Sequence, residues 1–195
     1  MVLSPLVVAR SQLLTAIHLF FNDRDPVSVH ALAGNAREIL ESVCKLAAVE
    51  PITELLLRGH SNKPKKDIYA ALNPYRNCFR HVGKTWEERR GEQEILNQFD
   101  DAKNEYLLYI CVEDYLKLRG SSPLPMQVLH AWFCALHADL IGCPYSRQKS
   151  VDLFPGLSQM SRYEQKRVAL GLIRGSVDDP QVLANPQTEP LLIDH

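Results

Sequence analysis

Residues 13–40 read LLTAIHLFFNDRDPVSVHALAGNAREIL, and this stretch decides the fold class. Ahead of the polar break at 22–25, Leu13, Leu14, Ile17, Phe20 and Phe21 recur at three- and four-residue intervals, the stripe that one face of a helix buries. Leu6 continues it backwards, which predicts a first helix over residues 3–22. Asp25 and Pro26 announce a second: the carboxylate can take orphan N–H groups, and proline at the first helical position gives up a donor that had no partner. Val29, Leu32, Ala33, Ala36, Ile39, Leu40, Val43 and Leu46 form its expected buried face, to about residue 49. The small residues Ala33, Gly34 and Ala36 predict close packing against helix one, at a propensity cost of about 1 kcal/mol for the glycine.

The same period governs the rest of the chain. Short helical patterns are expected at 51–58 and 67–72, separated by the basic loop from His60 to Lys66. Asn73 and Pro74 repeat the cap-plus-proline signal, opening a helical turn over 75–81 that Gly83 closes. The highly charged stretch 84–93 reads as a connection. A long helix over 96–119 stops at Gly120, a helix over 126–141 stops at Gly142 and Pro144, and residues 145–159 read as a loop. Ser161 and Glu164 fit a capping box for a last helix to Arg174. No alternating apolar run insists on a strand, so the expectation is an all-α bundle of about six or seven helices. Residues 1–175 would form one helical domain, and residues 176–195, rich in proline and without periodicity, an extended tail.

Composition narrows the function classes. The chain has 195 residues, 22 Lys plus Arg against 23 Asp plus Glu, and 46% hydrophobic residues, so collagen-like and disordered readings fall away. Near-zero net charge argues against coating duplex nucleic acid by bulk electrostatics. Five cysteines, an odd number, and a start without a basic, cleavable leader point to free thiols in a reducing compartment, hence a cytoplasmic protein. No apolar run approaches the 18 residues of a membrane span.

Three groups of residues could carry chemistry. In the first, Arg76, Asn77 and His81 stand within one predicted helical turn and a half. A guanidinium grips phosphate bidentately, an imidazole moves a proton near neutral pH, and a helix start favours an anion. Those are the parts needed for a ribose hydroxyl to attack its own phosphodiester, and they call for no metal and no cofactor. The alternative reading makes Cys78 and Phe79 core, Arg76 and Arg80 solvated helix residues, and His81 a capping or core histidine.

The second group is His130, Cys134 and His137, on one side of a helix, followed by Cys143. These are ligand types that zinc prefers, but the three helical positions span about 10 Å along the axis, too far for one ion. An amphipathic flank of a core helix is the competing reading. In the third group, the basic loop 60–66 with Lys65 and Lys66, together with Lys84, Arg89 and Arg90, brackets the 76–81 segment. Folded towards it, these residues and Arg80 would attract phosphate; otherwise they are solvated loops. Glycine-rich phosphate loops, nucleophile elbows, HExxH and paired CxxC motifs do not occur.

An all-α bundle with Arg76, then polar Asn77, then His81 resembles the HEPN superfamily, many of whose members are metal-independent ribonucleases of toxin and defence systems. The resemblance implies a homodimer in which both motif copies share one cleft. Arg76 would hold the scissile phosphate, His81 would act as base or polarise the 2′-hydroxyl, and Asn77 would orient them, leaving a cyclic phosphate. Lys65, Lys66, Arg80 and Lys84 would bind the substrate, and a small antitoxin-like protein is an expected partner besides RNA. Over residues 13–135 the chain is also similar to uncharacterised bacterial helical proteins, through Asp25, Pro26, Val27, His30, Leu32, Ala33, Ala36, Glu38, Ile39, Leu40 and later Asn77, Phe79, Arg80 and His81. That likeness implies no activity and adds His30 and Glu38 as candidates. A non-catalytic helical module binding RNA, nucleotide or a protein is the alternative function.

Overall fold

The computed structural model describes residues 3–60, 62–72, 75, 78–79, 83–140 and 144–191. The described part is all-helical. Its helices are α1 (Pro5–Phe21), α2 (Pro26–Leu46), α3 (Ile52–Gly59), α4 (Lys65–Leu72), α5 (Trp86–Leu96), α6 (Ala102–Arg119), α7 (Leu124–Leu136), α8 (Pro144–Leu153), α9 (Arg162–Ser176) and α10 (Pro180–Leu183). Two-residue strands β1 (Ser122–Pro123) and β2 (Thr188–Glu189) pair in parallel, Ser122 opposite Thr188. No helix is long and apolar enough to cross a membrane, among the described residues.

The first two helices begin as their sequence requires. Ser4 caps α1 ahead of Pro5. The Asp25 carboxylate accepts from the Val27 and Ser28 amides at 3.2 and 3.1 Å, with Pro26 at the first helical position; a cap of this kind is worth about 1 kcal/mol. Helix α3 begins at a proline and brings no cap of its own. Its Ile52 amide instead donates 2.7 Å to Asp114 Oδ1 of α6, and burial raises the Asp114 carboxyl above its usual range against that bond. At the end of α6, Gly120 takes a left-handed φ of 70°, open to glycine at no steric cost.

The core lies among α1, α2, α6, α7 and α9. Ala9, Leu13, Ala16, Ile17 and Phe20 line α1, and Val29, Ala33, Ala36 and Leu40 line α2. Trp132 of α7 stands edge-on to Phe20 and Phe21 at 5.6 and 5.7 Å and donates its indole N–H to Gln165 O, so the largest buried ring has its polar atom satisfied. Ala33 lies where Cys111 Sγ reaches its carbonyl at 3.4 Å. The close approach uses the alanines, since a Cβ on Gly34 would meet nothing within 4 Å.

Ten α-helices among the described residues exceed the six or seven expected. Stretch 84–93, read as a connection, lies mostly in α5, which starts with a complete Thr85–Glu88 capping box. It buries no residue and leaves Trp86 74% exposed, so the apolar stripe that reveals a helix is missing. Much of the expected loop 145–159 lies in α8 for the same reason. The tail expected to be extended carries α10 and β2 and is tied down: the Glu189 carboxylate accepts from Tyr115 Oη at 2.6 Å, Ser121 Oγ at 2.9 Å and Arg119 Nε at 3.2 Å. Arg10, buried on α1, donates to the Pro190 and Leu191 carbonyls.

Candidate functional site

Arg76, Asn77, Arg80 and His81 lie outside the described residues, as does Cys143. Their described neighbours Tyr75, Cys78 and Phe79 define where the segment meets the bundle. The Phe79 amide donates to Tyr75 O at 2.9 Å, one helical turn back. Tyr75 and Phe79 both stand edge-on to the imidazole of His30, at 5.6 and 5.5 Å, and Phe99 closes a third side at 5.5 Å. Phe99 also contacts Tyr75 at 4.8 Å and Phe79 at 5.1 Å. Tyr75 Oη donates to Gln98 O, so this ring pins the chain ahead of α6.

Inside this cage His30 is neutral. Asn104 at the start of α6 donates its amide N–H to Pro26 O at 3.0 Å, which turns its oxygen towards His30 Nδ1 at 2.9 Å. The acceptor then requires the proton on Nδ1. Burial pushes His30 below the usual imidazole range, and the Asn104 bond acts in the other direction. The ring therefore joins α2, α6 and the 75–79 segment as an uncharged hub.

The remaining candidates are dispersed. Glu38 is half-buried two turns beyond His30, about 12 Å further along the helix axis, so the two do not share one centre. Lys65 and Lys66 stand exposed in the first turn of α4, and Lys84 stands exposed just ahead of α5. Arg89 donates to Gly83 O at 2.7 Å and Arg90 to Glu94 at 3.4 Å, so both are engaged within their own loop and helix.

His130, Cys134 and His137 belong to a different arrangement. On α6, Glu105, Tyr109 and Glu113 recur every four residues and meet His137, Phe133 and His130 of α7, which runs the opposite way. Glu113 takes His130 Nε2 at 2.7 Å, Glu105 takes His137 Nε2 at 2.9 Å, and between them Tyr109 stacks on Phe133 with centroids 4.0 Å apart. Burial lowers His130, but the contacts with Cys134 and Glu113 outweigh it and the imidazole is raised above its usual range. Burial likewise raises Glu113, and the bond from His130 leads the effects that leave it lowered.

Cys134 Sγ lies 3.9 Å from His130 Nδ1, giving a thiol, an imidazole and a carboxylate in the order used by cysteine nucleophiles. The thiol is 1% exposed, which closes it to a substrate carbon. Among the described residues no group of three His, Cys, Asp or Glu side chains is placed to hold a metal. Sequence reasoning found both histidines of the ladder and missed their carboxylates; the four-residue spacing of Glu105, Tyr109 and Glu113 was the available signal. Compared with known proteins, the chain matches no family model, and no curated protein and no solved structure matches it.

Proposed function

We propose that the chain acts on RNA, cleaving phosphodiester bonds without a metal in the manner of HEPN ribonucleases. Arg76, Asn77 and His81 are the reacting set, and two copies form the working unit. One observation supports this reading above the rest: Tyr75 and Phe79, which stand on either side of Arg76 and Asn77 in the chain, are both seated on His30. Catalysis by orientation requires a fixed attachment to the fold, and Tyr75 and Phe79 supply one next to the proposed set in the chain. In the proposed step His81 accepts the proton of the 2′-hydroxyl, whose oxygen attacks phosphorus. The bond from phosphorus to the 5′ oxygen breaks, water protonates that oxygen, and a cyclic phosphate remains. Arg76 balances charge on the non-bridging oxygens, and Asn77 orients the base.

The test is cleavage of a labelled mixed RNA pool in chelator, comparing the wild type with His81→Ala and Arg76→Ala shown to be folded by circular dichroism. We expect cyclic phosphate ends from the wild type and losses of about 100-fold or more in His81→Ala. No cleavage by the wild type, or undiminished cleavage by His81→Ala, overturns the reading. A non-catalytic module binding RNA, nucleotide or a protein is favoured by one observation: His30, the described histidine of this cluster, is 5% exposed and enclosed by Tyr75, Phe79 and Phe99, so it offers no nitrogen to a substrate. Binding that survives His81→Ala without any cleavage would establish that alternative.

A further inference from the structure

Helix α9 carries Tyr163, Lys166, Arg167, Leu170 and Arg174 at positions i, i+3, i+4, i+7 and i+11, one stripe of its surface. This stripe faces the turn between α1 and α2, and with Phe21, Asn22 and Asp23 it encloses an open cleft of about 220 Å³. The volume is below the roughly 300–1,000 Å³ of pockets that enclose drug-sized ligands, so a ligand of that size would sit partly outside this open cleft. Its apolar members are Leu170 and Phe21, the latter 2% exposed.

The charges bordering it do not cancel. Lys166, 2% exposed, is spent on the fold: its ammonium lies 2.7 Å from both Asp23 and Asp101 and 4.6 Å from the centroid of Phe20. That one charge is shared between two carboxylates, so the residues lining the cleft set three cations against the single, half-exposed carboxylate of Asp23. Asp23 itself holds a left-handed φ of 52°, a conformation that costs a residue other than glycine and that sets its carboxylate towards Lys166. Arg167 and Arg174 remain. Among the described residues neither has a carboxylate partner: Arg174 bonds Asn22 Oδ1 at 3.4 Å, and Arg167 lies 5.8 Å from the centroid of the exposed Tyr163 ring. Arg167 and Arg174, whose backbone positions lie about 10 Å apart along the helix axis, carry long side chains that can turn towards each other beside Tyr163.

We propose that this cleft binds a small phosphomonoester joined to a flat ring, of the nucleoside monophosphate class. Arg167 and Arg174 hold the phosphate, which guanidiniums grip by paired N–H donors, and Tyr163 and Leu170 receive the ring. Lys166 and Asp23 shape the cleft without touching the phosphate. The site shares no residue with the set at 76–81 and does not depend on the function proposed above.

The test is isothermal titration of the full chain with adenosine 5′-monophosphate, inorganic phosphate and adenosine, each at low salt. Adenosine 5′-monophosphate is expected to bind with a dissociation constant of about 1 mM or tighter, inorganic phosphate more weakly, and adenosine not measurably. The double variant Arg167→Gln, Arg174→Gln alters exposed side chains only, and should weaken the nucleotide about tenfold or more. Tyr163→Ala should weaken the nucleotide and leave inorganic phosphate unchanged. The proposal is overturned if the monophosphate does not bind, if the double variant binds it as well as the wild type, or if adenosine binds equally well.

Discussion

A buried histidine, His30, and a half-buried one, His130, are shifted in opposite directions, and the contrast shows how much the second atom of a hydrogen bond decides. His30 meets an amide oxygen and three aromatic rings, and stays neutral. His130 meets the carboxylate of Glu113 and is held protonated above its usual range. The cage joins a segment of the chain to the bundle by apolar contact. The ladder clamps α6 to α7 by two carboxylate and imidazole pairs around a stacked Tyr109 and Phe133. Burial acts on both histidines in the same direction; the partner settles which form survives.

The ladder itself is unequal at its two ends, and breaking it there gives the largest expected effect. Glu105 has a side chain 7% exposed and accepts from both His137 and Arg162, whose guanidinium also lies 5.2 Å from the Trp132 ring. Removing it leaves His137 without its carboxylate, while Arg162, 32% exposed, keeps Asp101, so Glu105→Ala should cost about 2 kcal/mol. Glu113, 22% exposed, serves His130 at the wetter end, and Glu113→Ala should cost about 1 kcal/mol. Urea unfolding of both variants ranks the ends. Equal losses would mean that the Arg162 contact adds nothing to the inner pair.

The pH dependence of stability sharpens the contrast between cage and ladder, because the two histidines contribute with opposite sign. His30 has a folded value below its unfolded one of about 6.5, pressed down by burial. The unfolded chain then binds more protons, so this contribution is complete above about pH 6.5 and is lost as pH falls towards the folded value. His130 is raised in the fold, burial opposing and the Cys134 and Glu113 contacts prevailing. Its contribution is complete below about pH 6.5 and is lost as pH rises above that. Unfolding free energies measured from about pH 5.5 to 8.5 should therefore show His30→Phe flattening the acid limb and His130→Gln flattening the alkaline one. If His30→Phe leaves the acid limb as steep as in the wild type, the cage does not hold a neutral ring.

What the sequence made legible follows the same division between apolar contact and polar partnership. The stripes of α1 and α2, the Asp25–Pro26 start and the Ser161–Glu164 box were readable because each signal is local, within one or two turns. The helix α5 was not, since a helix that buries nothing shows no apolar period and only the Thr85–Glu88 box marks it. His30 was legible as a candidate, but its cage was not, because Tyr75, Phe79, Phe99 and Asn104 come from 45 to 74 residues further along the chain. The partners of His130 and His137, 17 and 32 residues away, were nearer but lie on another helix, and Asp23 is 143 residues from Lys166, a pairing that links the first turn of the bundle to its last long helix. The catalytic set proposed at 76–81 rests on spacing and resemblance, supported by the anchoring of its neighbours.

The smallest expected effect asks whether the inner rung needs a third member as the outer one has in Cys134. Tyr106 Oη lies 3.4 Å from His137 Nδ1, and its ring lies 4.9 Å from the imidazole, but the residue is exposed. A long, hydrated hydrogen bond of this kind adds little net stability, because water replaces the hydroxyl once it is gone. The ring contact is retained in Tyr106→Phe, so the variant isolates the hydroxyl. We expect a change within about 0.5 kcal/mol in urea unfolding and no change in the pH profile. A loss above about 1.5 kcal/mol would show that His137 is oriented from both nitrogens, as His130 is.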